Sequence, residues 1–306
     1  MRISVIGAGL MGHGIAQIFA AAGHRVRVHD AFPKTLEAAP ARIKAIFELL
    51  GQDASAMSSL SYHADFDESV ADAEFVFEAA PEKPEVKQEI FERLGKAAPA
   101  GAILCTNTSA IPIHVVGARV ADKGRVVGTH FWNPPHLVPL VEVVQSESTR
   151  ADVVERTMKL FDQVGMSPVH VKKDIPGFIG NRLQHALKRE AIALVANGIC
   201  DARTVDRVVK EGFGARLAIL GPLEQSDMVG LNLTLDIHKT LIQDLDHTPG
   251  PNPFLEKKVA AGETGMAVGK GFSEWTPEEA AAVRKGLNEY LVAAARDRVA
   301  RKKGKK

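Results

Sequence analysis

Apolar positions along this chain follow two regimes. Up to about residue 175 they form short β-branched and aromatic runs alternating with helical patterns; beyond the turn cluster Asp174, Ile175, Pro176 and Gly177, every periodic segment repeats like a helix. The short runs predict strands at 2–6, 25–29, 75–78, 102–106, 126–131, 137–144 and 168–172. Between them, helices are predicted at 15–22, where Gly23 stops the pattern, and at 35–51, 87–94 and 151–164; residues 53–61 read as a small polar loop. In the later part, 181–197 reads as an amphipathic helix opened by Gly180, with Leu183, Leu187, Ile192 and Val195 forming one buried stripe. Asp201 caps a helix over 202–210, Gly221 and Pro222 open another reaching roughly to residue 245, and Thr276 and Pro277 start the last. This pattern predicts the α/β class: a nucleotide-type domain over 1–175, then an all-helical domain over 176–306.

Composition narrows the function classes. The 306 residues carry a net charge of +1, with 45% hydrophobic and 25% charged residues, which is ordinary for a globular protein and gives no broad field for nucleic acid or membrane. Only the tail from Arg301 to Lys306 is strongly basic, and it reads as a frayed, solvated end. Two cysteines, Cys105 and Cys200, make no disulfide framework and fit a reducing compartment. The predicted strand at 2–6 starts the fold at once, and no apolar run approaches the ~20 residues of a membrane span, so a cytoplasmic protein without a leader is expected.

The first candidate chemistry is the run Gly7, Ala8, Gly9, Leu10, Met11, Gly12 between the first strand and the first helix. A lone GxGxxG is a weak signal. Here it lies between the required elements, and the second strand ends in Asp30, which makes a dinucleotide site the expected use of Gly7, Gly9, Leu10, Met11 and Gly12. The glycines let backbone approach a pyrophosphate at a helix N-terminus, where free amides favour an anion. Asp30 would accept the adenosine ribose hydroxyls and repel a 2′-phosphate, so NAD is expected in preference to NADP, with Arg25 and Arg27 facing elsewhere. The competing reading is a structural turn without nucleotide, and His13 reads as incidental. The strand at 102–106 ends in Asn107, Thr108 and Ser109, at the end of a sheet where ligands bind, although Ser109 could instead cap the next helix.

The second candidate is the stretch 128–144. Two β-branched runs are interrupted at Asn133, Pro134 and Pro135, which predicts a strand, a turn and a returning strand. In that geometry His130 and Glu142 can lie side by side, with a carboxylate on one ring nitrogen leaving the other as a base. Alternatively, His130 caps a turn and Glu142 is a solvated carboxylate on an edge strand. His130 and His136 lack a metal-ligand spacing, and no metal is expected.

GAGLMG at 7–12, Asn107-Thr-Ser109, Thr129-His-Phe-Trp-Asn133-Pro, Leu140-Val-Glu142-Val-Val and Pro176-Gly-Phe-Ile-Gly-Asn181-Arg-Leu together resemble the 3-hydroxyacyl-CoA dehydrogenase family, up to about Trp275. The resemblance implies a Rossmann-type NAD domain, a helical domain and a homodimer. It implies that His130 is the general base and Glu142 its orienting partner. Ser109 and Asn181 would contact the reacting oxygen, while Glu82, Lys87, Asn107 and Asn133 match positions around the nicotinamide half of NAD.

Two departures bear on the substrate. Acyl-CoA members usually carry a longer, lysine-bearing hairpin where this chain has the short, lysine-free segment 52–61, and Ala267 stands where their late GKKxGxGF motif commonly has lysine. A phosphate-rich ligand loses cationic partners in both places. Asn133-Pro-Pro135 and the extended segment 214–222 look instead like the lambda-crystallin branch, which includes L-gulonate 3-dehydrogenase and has relatives acting on carnitine and pyridine carboxylates. For a carboxylate substrate, Arg216, or secondarily Arg182, could supply a bidentate fork; a helix-end or subunit-interface salt bridge is the other reading of Arg216. The expected activity is hydride transfer between NAD and a small hydroxy acid, most simply a 3-hydroxy acid. A 3-hydroxyacyl-CoA dehydrogenase with a shortened CoA grip and a non-catalytic NAD-binding crystallin-like protein are the alternatives.

Overall fold

The computed structural model describes residues 1–303, without the side chains from 299 onward. Gly304, Lys305 and Lys306 of the basic tail lie outside the described residues. The strands are β1 (Arg2–Ile6), β2 (Arg25–His29), β3 (Leu60–His63), β4 (Phe75–Glu78), β5 (Ile103–Thr106), β6 (Val126–Phe131), β7 (Leu140–Val144) and β8 (Ser167–Val171). They form one sheet in the order β3-β2-β1-β4-β5-β6-β7-β8. Pairing is parallel from β3 to β6, antiparallel between β6 and β7, and parallel again between β7 and β8. The chain moves outward from β1 through β2 to β3, then restarts on the other side of β1 at β4. A crevice is expected where that order reverses.

Helices α1 (Gly12–Ala21), α2 (Pro33–Leu50), α3 (Phe66–Val70), α4 (Pro84–Ala97), α5 (Ile113–Val116) and α6 (Ala151–Gln163) connect the strands. Because strand residues alternate between faces, each strand feeds two cores. Val5, Phe77, Cys105, Val127 and Val143 join one apolar cluster, and Ile6, Val76, Leu104, Val126 and Val144 join the other. Helices α7 (Gly180–Ala196), α8 (Ala202–Glu211), α9 (Pro222–Val229), α10 (Leu231–Leu241), α11 (Pro253–Ala260) and α12 (Pro277–Lys303) come after β8. Thr276 and Glu279 close a reciprocal cap on α12: Thr276 N–H donates to the Glu279 carboxylate at 3.0 Å and Glu279 N–H to Thr276 Oγ1 at 3.1 Å.

Contacts divide the chain into one unit of 1–182 together with the segment from Leu287 on, and a second unit, Leu183–Gly286. The expected division at 175/176 puts the whole last helix with the helical part. The far half of α12 belongs instead with the first unit, because Val292 and Ala295 are buried in a small cluster with Leu137. Among the described residues no helix is long and apolar enough to cross a membrane.

Several expected elements differ. Residues 60–63 form the edge strand β3, although the sequence predicts loop through residue 61; only 54–59 is a turn, of 3-10 type. The returning strand begins at Leu140 and not at residue 137. The helix expected from Pro222 to about residue 245 is broken into α9 and α10 by Gly230, whose φ of +97° leaves the helical region. The expected buried stripe of α7 is not buried in this chain: Leu183 is 60% and Leu187 42% exposed, and Ala193 is the buried residue of that helix. Ser109 does not cap α5; Asp174 does, accepting the N–H groups of Ile113 and His114.

Candidate active site

The parallel strands end at one edge of the sheet, and the candidate residues collect there. Gly7 follows β1, Asp30 follows β2, Ala79 and Ala80 follow β4, and Asn107 to Ser109 follow β5. Gly7, Gly9, Leu10, Met11, Asp30, Ala80 and Lys83 are among the residues lining a cleft of about 890 Å³ at the strand-order reversal.

The glycine run meets the demands of a dinucleotide loop. Gly7 has φ +97°, and a Cβ there would lie 2.7 Å from the Ala79 carbonyl oxygen; a Cβ on Gly12 would lie 1.6 Å from the Gly7 carbonyl oxygen. Both glycines are required by the fold itself. Gly9 differs, since a Cβ there would meet nothing within 4 Å, and this open backbone in the cleft wall is the approach a pyrophosphate needs. The first turn of α1 carries no acidic residue to compete for its free amides. Asp30 is positioned by the loop, accepting Ala8 N–H at 2.7 Å and Phe32 N–H at 2.8 Å. Arg27 turns away to Asp72 at 3.0 Å, as expected.

His130 and Glu142 are opposite partners in the antiparallel register of β6 and β7. His130 Nδ1 and Glu142 Oε2 are 2.7 Å apart, and both side chains are buried. The other oxygen, Oε1, accepts Ile179 N–H at 2.9 Å and Gly180 N–H at 3.0 Å, so the carboxylate also sits at the N-terminus of α7. Burial alone would push the Glu142 carboxyl up. The bonds from His130, Gly180 and Ile179 outweigh it and hold the group below the ordinary carboxylate value. An ionised carboxylate only accepts, so Nδ1 carries the imidazole proton and Nε2 is left as a base. Trp132 and Phe178 flank the imidazole, each with its ring centroid 5.6 Å away. Neither the turn-capping nor the solvated-carboxylate reading survives this geometry.

Ser109, Glu82 and Asn181 are brought into one hydrogen-bonded assembly, and Asn107 bonds separately to the backbone of β6. Glu82 Oε1 accepts the Thr108 hydroxyl at 2.6 Å and the N–H groups of Ser109 and Ala110 at 2.8 and 3.1 Å. Burial raises the Glu82 carboxyl, but these donors and the Lys87 charge bring it below its usual value. Asn181 Nδ2 donates to the Ser109 carbonyl at 3.0 Å. Asn107 Oδ1 accepts Phe131 N–H at 2.9 Å, which leaves its own N–H groups as what it can offer a ligand. Asn133 is exposed and precedes Pro134 through a cis peptide.

Lys87 departs from its expected place as a direct cofactor contact. It is fully buried, bonded to Glu78 at 2.7 Å, and 3.5 Å from Glu82, so in this arrangement it acts on the cleft through Glu82. Sequence reasoning missed Glu78, whose carboxylate also accepts Thr106 Oγ1 at 2.7 Å and Ala80 N–H at 2.6 Å; its only signal was a charge ending an otherwise apolar strand. Arg216 lies in the second unit, on the turn Phe213–Arg216, and among the described residues it forms no ion pair, so the helix-end bridge is not observed.

Comparison with known proteins gives the family. The 3-hydroxyacyl-CoA dehydrogenase NAD binding domain matches residues 2–175, and the C-terminal domain of the same enzyme matches 177–275. The 5-formyl-3-hydroxy-2-methylpyridine 4-carboxylate 5-dehydrogenase of Mesorhizobium japonicum is 32% identical over 96% of this chain and 97% of that protein. A solved structure of an NAD+-dependent enzyme with that activity superposes with a TM-score of 0.90 at 32% identity, covering 97% of this chain and 98% of the other. An L-carnitine dehydrogenase of Streptomyces griseus is 37% identical over 72% of this chain and 68% of its own length. A "probable 3-hydroxybutyryl-CoA dehydrogenase" of Bacillus subtilis is 35% identical over 90% and 97%.

Proposed function

This chain belongs to the 3-hydroxyacyl-CoA dehydrogenase family and is an NAD-dependent dehydrogenase, and from that premise we propose that it acts on a small free hydroxy acid, with His130 as general base. The observation that carries the mechanism is the buried His130–Glu142 pair, 2.7 Å apart, whose carboxylate is tied down on its second oxygen.

Gly7, Gly9, Leu10, Met11, Gly12 and Asp30 would hold NAD, which would supply the hydride acceptor for the carbinol carbon. The chain's own part is proton handling. His130 Nε2 takes the hydroxyl proton while Glu142 keeps the proton on Nδ1 and stabilises the imidazolium. The Asn181 amide and the Ser109 hydroxyl offer hydrogen bonds to the reacting oxygen as its charge changes. In reduction the same imidazolium returns the proton. A non-catalytic NAD-binding protein would have no use for a buried carboxylate fixed on a buried imidazole.

A free acid is favoured over a CoA thioester by two observations. The relative matched over 96% of this chain is named for a pyridine carboxylate, and the one at 37% identity for L-carnitine, neither of them a CoA thioester. The segment from Gly51 to β3 is a single short 3-10 turn with no lysine. The test monitors NADH absorbance with free hydroxy acids, carnitine and 3-hydroxybutyryl-CoA as substrates. Turnover of a free acid is expected; turnover of the thioester alone would overturn this substrate class.

The assembly is proposed to be a homodimer. Ile219, Leu223, Leu231 and Leu183 leave large apolar side chains in solvent on one chain, more than scattered surface residues require. Light scattering should give twice the chain mass, and a monomer would contradict it. A cytoplasmic setting is proposed from the free thiols of Cys105 and Cys200.

A further inference from the structure

We propose that Phe178 is a positioning residue for this reaction: its left-handed backbone aims two consecutive amides at Glu142 while its ring packs beside His130, so that one strained turn sets both halves of the dyad. The inference rests on the assignment of His130 and Glu142 as base and orienting partner.

Phe178 has φ +50° and is the non-glycine residue with positive φ among the described residues. A bulky side chain is a steric outlier in that region, and such outliers concentrate at functional sites. A glycine would take the conformation freely, and Gly177, with φ +75°, immediately precedes it. The ring must therefore supply something glycine could not. It is fully buried, with its centroid 5.6 Å from that of the His130 imidazole and a 55° angle between the planes. Trp132 lies at the same distance, so two aromatic rings pack against the imidazole.

The backbone accounts for the strain. Phe178 N–H donates back to Ile175 at 3.1 Å, closing the turn. The next two N–H groups, Ile179 and Gly180, both point at Glu142 Oε1, at 2.9 and 3.0 Å. An extended or right-handed residue at 178 would send those amides elsewhere, leaving the buried carboxylate without two of its donors. A change of backbone or side chain at this position thus reaches the carboxylate and the imidazole together.

The test is Phe178→Leu, alone and combined with Glu142→Gln, measured by single-turnover NADH formation and by NADH binding. The single variant should lose ~10–100-fold in kcat while KM for NAD and NADH affinity stay within about twofold of wild type. In the Glu142→Gln background the same change should cost clearly less than it does alone, because the route through the carboxylate is already gone and only the ring packing on the imidazole is left to lose. A kcat within about threefold of wild type, a loss confined to KM, or a full additional loss in the double variant would each overturn the proposal. Should melting or NADH binding show that Phe178→Leu does not fold, Phe178→Met carries the same cycle with the same criteria. His130→Ala separates the two levels. If it retains turnover, the dyad assignment itself fails; if it is inactive while Phe178→Leu runs at the wild-type rate, only the role of Phe178 fails.

Discussion

Glu142→Gln removes one charge and almost no volume, yet it forces a choice on the hydrogen bonds around it. Oε1 accepts two backbone donors and Oε2 accepts the His130 proton. A glutamine has one oxygen and one NH2. If its oxygen serves Ile179 and Gly180, its NH2 faces Nδ1, which must then accept; the imidazole proton moves to Nε2 and the base is lost. With the amide reversed, the NH2 faces two part-buried N–H groups, and leaving them unsatisfied costs at most about 1–3 kcal/mol each. The first arrangement is therefore favoured, and the wrong tautomer dominates. The analogous Asp→Asn change in serine-protease triads lowers kcat by about four orders of magnitude, so a loss of ~10³–10⁴ is expected here, equivalent to ~4–5.5 kcal/mol of barrier. Steady-state NADH formation reads kcat, and fluorescence titration with NADH, expected to be unchanged, shows that the cofactor site is intact. A variant within about tenfold of wild type in kcat would refute the tautomer argument. Stability carries a second signature. The Glu142 carboxyl is held low in the folded state, so its contribution is present above the ordinary value of 4.5 and lost as pH falls through the lowered one. Glu142→Gln should remove that part of the acid sensitivity.

Three further changes probe the surroundings of the dyad. Gly180→Ala places a Cβ 2.3 Å from Trp132 Cζ2, so the indole or the start of α7 must move; a stability loss of ~1–3 kcal/mol and a fall of more than about tenfold in kcat are expected, from urea unfolding and steady-state rates. Lys87→Met leaves the buried Glu78 without its cation and should cost ~3–5 kcal/mol by urea unfolding, with weaker NAD binding through the loosened Glu82. His136 is brought down to about 4 by burial first and by its neighbour His13 second. Between that value and the ordinary 6.5 the unfolded chain binds a proton the folded chain refuses, so stability falls as pH drops through this window; His136→Gln should flatten the melting temperature over the same range.

Legibility in the sequence tracks the range of the interaction. The dyad can be anticipated because a proline break between two β-branched runs implies an antiparallel return, and the resulting register does pair His130 with Glu142. The glycine loop is local in a similar way: the requirement at Gly12 comes from Gly7, five positions back, although Gly7 itself answers to Ala79, just past the end of the neighbouring strand β4. The second anchor of Glu142 is not legible, since it joins residues 37 and 38 positions apart and depends on where α7 begins. Leu60 to His63 alternate too weakly to announce a strand; pairing with β2 is what makes them one. Gly230 reads as tolerated inside a helix because periodicity continues on both sides, whereas its backbone leaves the helical region. The stripe on α7 shows the limit of a hydrophobic pattern: it tells which face seeks cover, not what covers it, and Leu183 and Leu187 stay exposed on a single chain.

The most direct measurement is single-turnover NADH formation by His130→Ala, with NADH binding measured alongside on the same preparation. Binding at the wild-type affinity with hydride transfer slowed by ~10²–10⁴ is the predicted result, the range a positioned general base contributes. Transfer within about threefold of the wild-type rate would show that the proton leaves by another route, and would contradict the role given to the His130–Glu142 pair.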